Sequence, residues 1–421
     1  MPTASLSPEP GLRSRLPSTP YPQAPREAAA PVSAPALLPE FREGDACFAS
    51  PTTTLHARGL QAALPGCARD ALPGHASELL DRCARERRFV PLVGAIPFAD
   101  AAAPRLWVPE QALFAPGRAR RTALRPMANG TDIAPTHTTP RTTPRPAPAR
   151  YVDNVAHALA RIEAGALDKV VMSRALSLDL RIDVPRLLAA LIERNPEAYS
   201  FAMPLDEATP RCLVGSSPEL LLSKRGGRIA SNPLAGSLPR ASDPDEDARR
   251  AQALLRSAKD QREHAHVAEA VADALSPWCR RLSVPDGPGL RATPTMWHLS
   301  TEIHGELRDP HASSLALALS LHPTPAVCGH PTREARALIE AVEGFERGMF
   351  TGLAGWCDAS GDGEWAVSIR CAEIGAEQAT LYAGAGIVAG SDPQAELAET
   401  RAKMATMLQA MGLAHLAETL P

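Results

Sequence analysis

Two glutamates three positions apart, Glu396 and Glu399, stand in the run ELAETRAK near the C-terminal end of the sequence. On a helix that spacing puts both carboxylates on one face, where they repel unless a cation neutralises them. Hard oxygen donors suit Mg2+, and Glu263, in KDQREHAH, is a third carboxylate on a helical stretch able to join them. The plainer alternative is a solvated face balanced by Arg401 and Lys403. Lys169 opens the apolar run KVVMSRALSLDL. Most lysines so placed lead their stem out to water, but one buried beside another cation sheds its proton more readily and can act as a base. Glu219 lies between a Gly-Ser-Ser-Pro turn and three leucines. A carboxylate there is costly to ionise, which would make it a general acid; the alternative is a rim glutamate turned to water. Arg370, inside AVSIRCAEI, reads as a mid-strand arginine that needs a carboxylate partner or the surface. Gly384-Ala385-Gly386, after Tyr382, lets backbone approach a ligand or relieves crowding in a strand. It is no dinucleotide fingerprint, because the third glycine and the following helix are missing. By themselves these residues point to an enzyme that binds an anion and a divalent metal.

The elements that carry them follow from apolar spacing. Val90–Pro97 is a short apolar run suited to a buried strand. Val152, Val155, Ala156, Leu159 and Ile162 recur at helical spacing, with Gly165 at the C-terminal cap position. Strands are expected over Lys169–Leu180 and Glu219–Ser223, and Gly226-Gly227 turns the latter into Arg228–Ala230. Asp243-Pro244 starts a helix that runs, with a break, to about Leu275. Next come one long strand, Met296–Leu307, and helices over Ser313–Leu321 and Pro331–Val342. Strand pairs around Gly352–Ile374 and Leu381–Val388 and a final helix, Pro393–Met411, complete the order. Strands and helices do not alternate regularly, so the expected class is α+β: one large domain of mainly antiparallel sheets with helices packed outside.

The chain has 421 residues, room for one large domain or two ordinary ones. Only 4% of residues are aromatic, so the core must rest on Ala, Leu, Val and Ile. The net charge of −3 is spread out, and without a basic stripe nucleic acid is not an expected partner. Eight cysteines form no C-x-x-C pair, which suits reduced, buried thiols in the cytoplasm rather than zinc ligands. No apolar run approaches the roughly 18 residues of a membrane span, and the N-terminus lacks a signal-peptide pattern. Ten of the first 40 residues are proline, so 1–40 is expected to be a disordered tail ahead of a catalytic domain at 41–415. The segment 126–150, with six prolines and many threonines, is expected to be an exposed loop within that domain.

In order along the chain, LDKVVMSR (167–174), LVGSSPELLL (213–222), NPLAGSLPR (232–240), KDQREH (259–264), MWHLSTEIHGEL (296–307), LHPTPAVCGHP (321–331), FTGLAGWCDASGDGEWAVSIRCAEI (350–374), YAGAGIV (382–388) and ELAETRAK (396–403) resemble the chorismate-utilising enzymes. FASPTTTLHARG (48–59) and VGAIPFAD (93–100) resemble the isochorismate synthases of siderophore pathways in particular. The resemblance implies chorismate as substrate, Mg2+ as cofactor and an active site in a cleft between antiparallel sheets. It implies that Glu263 and Glu399 are metal ligands, with Glu396 beside them, and that Arg370 and Lys403 hold substrate carboxylate. Gly236, Gly384 and Gly386 match places where backbone N–H groups meet carboxylate oxygens. Lys169 matches the base that activates water for attack at C2, Glu219 the acid that protonates the departing C4 hydroxyl, and His298 a histidine near the ring.

Within that family the branch depends on the site. Members that use ammonia lack a lysine at the position of Lys169, so water is the expected nucleophile and no glutamine amidotransferase partner is expected. Salicylate synthases share the lysine but tend to carry Val-Thr in the stretch where this sequence has Thr324-Pro325-Ala326. A small Ala326 without a hydrogen-bonding group resembles the isochorismate synthases, whose product leaves with its enolpyruvyl group attached. The expectation is therefore a monomeric, cytoplasmic isochorismate synthase. Two departures from the family pattern are Ser216, where Ala is common, and Gln261, where Arg is common.

Overall fold

In the computed structural model, residues 40–85, 90–117 and 140–420 are described. Strands buried on both faces dominate: every residue of Pro91–Ile96 is buried, as is nearly every residue of Lys169–Leu178 and Leu353–Asp358. Such strands must be covered on each side, and two large sheets do this for one another. The first has ten strands and the second nine, and every pairing within them is antiparallel. Their inner faces share a core in which Phe48, Phe201 and Leu213 of the first sheet meet Val93, Ala354 and Trp356 of the second.

Helices close the outer faces. Val184–Arg194 and Pro393–Ala410 pack on the first sheet through Leu187, Leu188, Leu191, Met404 and Met407. Leu72–Ala84, Ala258–Leu275 and Ser314–Leu321 cover the second through Leu79, Val271, Leu275 and Leu317. The arrangement is a single α+β domain with peripheral helices, as expected. Among the described residues no helix is long and apolar enough to cross a membrane, and all eight cysteines are free.

Local chemistry sets the helix ends. Asp392 accepts from Ala395 N, and Pro393 occupies the first turn, where its missing N–H costs nothing. Ser257 ends the helix Pro244–Arg256 and caps the next one by accepting from Asp260 N. That is the break expected between Asp243 and Leu275.

Several expectations are corrected. The single strand over Met296–Leu307 is two strands in two sheets: Met296–Ser300 belongs to a three-stranded sheet with Leu234–Pro239 and Gly289–Ala292, and Ile303–Leu307 to the nine-stranded one. The neighbouring chain switches at the same level, from Arg228–Asn232 into Leu234–Pro239, because Pro233 cannot donate to a ladder. Pro233 O instead accepts from Thr301 N. The turn expected at 215–218 is also displaced. Gly215, Ser216 and Ser217 continue the strand Cys212–Ser217, and the break falls at Pro218-Glu219.

Of the loop expected at 126–150, residues 126–139 lie outside the described residues, as does the expected tail except for Glu40. The remainder is ordered. Thr142–Arg145 is a strand pairing with Lys169–Leu178, and a helix begins at Pro148. The threonines suit a strand, and Pro144 is tolerated because that strand pairs on one side only. A short helix over Ala414–Thr419 follows the expected last one.

Candidate active site

Two of the chain's crossings from one large sheet to the other touch. Pro218-Glu219 links Cys212–Ser217 to Leu220–Arg225, and Ser368–Arg370 links Gly363–Val367 to Cys371–Ile374. Ser216 N donates to Arg370 O at 3.0 Å, and Val367 N to Glu219 O at 3.3 Å. Arg370 is therefore not mid-strand. Its φ of +50° turns the chain between sheets and aims the guanidinium into the gap between them.

That gap is a cleft of about 600 Å³, open mouth included. It is lined by Glu219, Gly236, Glu263, His298, Ala326, Arg370, Gly384, Gly386 and Lys403. Every residue expected to touch substrate is thus on one wall or another. The two lining glycines of the strand Ala379–Val388 are needed for space: a Cβ on Gly384 would lie 2.6 Å from Ser173 Oγ, and one on Gly386 2.1 Å from Glu263 Oε1. Gly236 takes φ +77° with Asp260 packed against it.

Lys169 is 0% exposed, so its stem does not lead to solvent. Its Nζ lies 3.1 Å from Glu263 Oε1, without the alignment of a hydrogen bond. Glu219 is also buried, and Oε1 has no hydrogen-bond partner. Burial pushes its carboxyl up to about 7, against the opposing pull of a backbone hydrogen bond at Leu234 and the charges of Lys169, Arg370 and Lys403. Arg370 is pushed down to about 10 by burial, with Glu399 and Glu219 opposing. His298 Nε2 lies 3.5 Å from the Arg370 guanidinium. Burial, then Arg370 and Lys403, hold that imidazole well below its usual range, hence neutral. Lys403 Nζ donates to Gly384 O at 2.8 Å and pairs with Glu399 Oε1 at 2.6 Å.

The three expected metal ligands approach from two helices, Glu263 from Ala258–Leu275 and Glu396 and Glu399 from Pro393–Ala410. Among the described residues no three His, Cys, Asp or Glu side chains are gathered tightly enough to hold an ion. Each carboxylate instead faces an ammonium: Glu263 faces Lys169, Glu399 faces Lys403, and Glu396 takes Lys259 Nζ at 2.6 Å. The donor set nonetheless fits a hard divalent cation. It is all oxygen, and Glu396 Oε2 is buried without a partner. Burial and then the Glu399 charge push the Glu396 carboxyl up to about 7, the repulsion a cation would relieve. Burial also opposes ionisation of Glu399, but Lys403, Lys259 and the Ser237 hydroxyl together hold it below its ordinary value.

Several residues in or behind the wall carry no functional assignment from the sequence. Ser237 donates to Glu399 Oε1 at 2.9 Å, and Lys259 is the counterion of Glu396. Asp260 has its carboxyl raised by burial and by Glu263 and Glu399. Thr351, at φ +59°, and Tyr382, stacked on Phe350, complete the wall. Only Lys259 and Asp260 carry a signal, as charged neighbours of Glu263 in KDQREH. The two departures from the family pattern have local roles: Ser216 Oγ lies 2.9 Å from Ser200 Oγ, and Gln261 Nε2 donates to Leu255 O.

The cleft between antiparallel sheets thus gathers the carboxylates of Glu219 and Glu263 and the cations of Arg370 and Lys403. The family described as chorismate binding enzyme matches residues 114–412, and the chain belongs to it. The chain is 47% identical over 392 residues to the isochorismate synthase DhbC of Bacillus subtilis (strain 168), covering 90% of this chain and 96% of that one. A crystal structure of a 2,3-dihydroxybenzoate-specific isochorismate synthase, DhbC from Bacillus anthracis, superposes with a TM-score of 0.84 at 44% identity, covering 90% of this chain and 98% of that one. MenF, the menaquinone-specific isochorismate synthase of Escherichia coli, gives a TM-score of 0.73 at 25% identity, covering 87% and 88%.

Proposed function

We propose that this chain is an isochorismate synthase that converts chorismate to isochorismate with water as nucleophile. The observation that carries the reading is Lys169, wholly buried beside the cleft with its amine against Glu263. Ammonia brings its own base, whereas water needs one. Lys169 takes a proton from water as the oxygen adds at C2. The ring double bonds shift, and the C4 hydroxyl leaves with a proton from Glu219, whose raised carboxyl keeps that proton near neutrality. One water enters and one leaves, so the product is an isomer of the substrate. Arg370 and Lys403 supply positive charge for the substrate carboxylates, and neutral His298 adds none at the ring.

Glu263, Glu396 and Glu399 are the residues that would hold Mg2+. When bound, the ion would neutralise the ring carboxylate and fix its direction. Ala326 adds no hydrogen-bonding side chain to the wall, consistent with release of the product before its enolpyruvyl group is eliminated. The nearer likeness to a 2,3-dihydroxybenzoate-specific relative than to a menaquinone-specific one supports a place in siderophore synthesis. The enzyme is read as a cytoplasmic monomer acting without an amidotransferase.

Purified protein given chorismate and Mg2+, with no ammonium and no second enzyme, tests the reading by mass spectrometry. Isochorismate is the expected product. Accumulation of salicylate and pyruvate, or a requirement for ammonium, would overturn it.

A further inference from the structure

All five N–H donors of Arg347 are engaged. Nε donates to Glu343 Oε2 at 2.8 Å, and Nη2 to Glu343 Oε1 at 2.5 Å and Val171 O at 2.8 Å. Nη1 donates to Val327 O at 2.7 Å and Thr351 Oγ1 at 3.3 Å. A guanidinium has five such donors in one rigid plane, so this arginine is fully used. Val171, Val327 and Thr351 all line the cleft. They come from three segments: the strand that begins with Lys169, the turn that carries Ala326, and the turn after Arg347 itself. The Phe98 ring covers the guanidinium at 4.6 Å.

The place is a gap in the sheet. On the outer edge of Lys169–Leu178, Lys169 and Val170 pair with Gly329-His330, and Ala175–Leu178 pair with Thr142–Arg145. Between these, Val171 N reaches Cys328 O. The next two edge groups, Val171 O and Ser173 N, are taken by side chains: Arg347 donates to the first and Glu343 Oε1 accepts from the second at 2.7 Å. Carboxylate and guanidinium together thus stand in for a missing stretch of strand. The same guanidinium reaches across to Val327, next to Ala326.

On the reading that the chain makes isochorismate, we propose that the Glu343–Arg347 pair is a positioning device. It sets the register of the Lys169 strand against the Ala326–Thr351 wall. The pair touches no reacting atom and acts through the backbone of the residues it holds. It thereby governs both the approach of the base to the ring and the retention of the enolpyruvyl group.

R347K tests this, since an ammonium has three donors on one nitrogen and cannot span Glu343, Val171 O and Val327 O together. The expected result is a fall in kcat of about 10²-fold with KM held within about threefold, as for a misplaced base. The share of turnover ending as salicylate and pyruvate should also rise several-fold. A loss of folded protein would lower the rate without moving that share. An unchanged product ratio in R347K overturns the proposal, whatever its rate. E343Q, which keeps an oxygen for Ser173 N but loses the ion pair, should show the same shift if R347K does not fold. Collapse of both variants by circular dichroism also overturns the proposal, because the pair would then be a folding element only. Failure of the parent enzyme to make isochorismate is a separate outcome, and it strikes the functional reading instead.

Discussion

Lys169 Nζ and Glu263 Oε1 meet at 3.1 Å at the end of the cleft, with Gly386 packed against both. The strand supplies the amine and the helix Ala258–Leu275 the carboxylate, so the contact joins the first sheet to a helix that covers the second. Among the described residues no acceptor, Glu263 included, is aligned with Lys169 Nζ for a hydrogen bond. It is a buried amine whose nearest charge is also a candidate metal ligand.

Lys169→Ala should therefore abolish water addition and leave chorismate binding detectable. General-base catalysis is worth about 10²–10⁴-fold, and kcat should fall by at least that much. Steady-state kinetics together with a binding titration check it. Turnover near the parent rate would sink the assignment.

Glu219 makes the site sensitive to pH. Its carboxyl is pushed from 4.5 up to about 7 by burial, so it holds its proton below that pH and loses it above. The profile of kcat/KM should fall on the alkaline side with an apparent midpoint near 7, and Glu219→Gln should remove that limb along with most of the rate. Stability follows the same proton. Because the folded-state value is raised, its contribution is fully present below pH 4.5 and is lost as pH rises through about 7. Glu219→Gln should gain on the parent between about pH 5 and pH 8, with a ceiling on the order of 3 kcal/mol. A melting-temperature difference that stays constant across that range would refute the shift.

Much of this site was legible because its parts are local. An apolar run opening on lysine and an Asp-Pro helix start each form within a few residues, so the strand of Lys169 and the helices of Glu263 and Glu399 could be placed in advance. What escaped depends on distant partners. The sheet switch at Pro233 and Thr301 needs two chain segments to leave one sheet together, and nothing in MWHLSTEIHGEL marks the level where they do. Arg370 sits in an apolar run, but its left-handed turn is imposed by the neighbouring crossing at Glu219. Arg347, in GFERGMF, reads as a charged residue after a helix. Its role depends on Val171, 176 positions upstream.

Gly386 offers a steric test of how tightly the base and the candidate ligand are set. A methyl group there would lie 2.1 Å from Glu263 Oε1 and 3.2 Å from Lys169 Cε, so one of the two side chains must move. Overpacking of this kind costs about 1–3 kcal/mol, and a shift of about 1 Å at a reacting group costs about 10²-fold in rate. Gly386→Ala should fold, lose turnover by about that factor and bind Mg2+ more weakly in a calorimetric titration. Unaltered Mg2+ affinity and rate would show that Glu263 has room to spare.

On the proposed function, release of isochorismate depends on Ala326. It lines the cleft beside Val327, and its N–H donates to Thr324 Oγ1 at 3.3 Å, so the turn is held from both sides and has little freedom to recoil. Ala326→Thr would add to the Cβ now present a hydroxyl and a further methyl group. The methyl crowds the substrate, and the hydroxyl can hold the product by a hydrogen bond long enough for its side chain to be eliminated. Isochorismate formation should fall by roughly tenfold, equivalent to about 1.4 kcal/mol of barrier. Salicylate and pyruvate should appear in equal amounts, since one molecule of isochorismate yields one of each. Quantifying the three products by mass spectrometry decides it. A variant that still releases isochorismate alone would move the control of product fate from Ala326 to the other walls of the cleft.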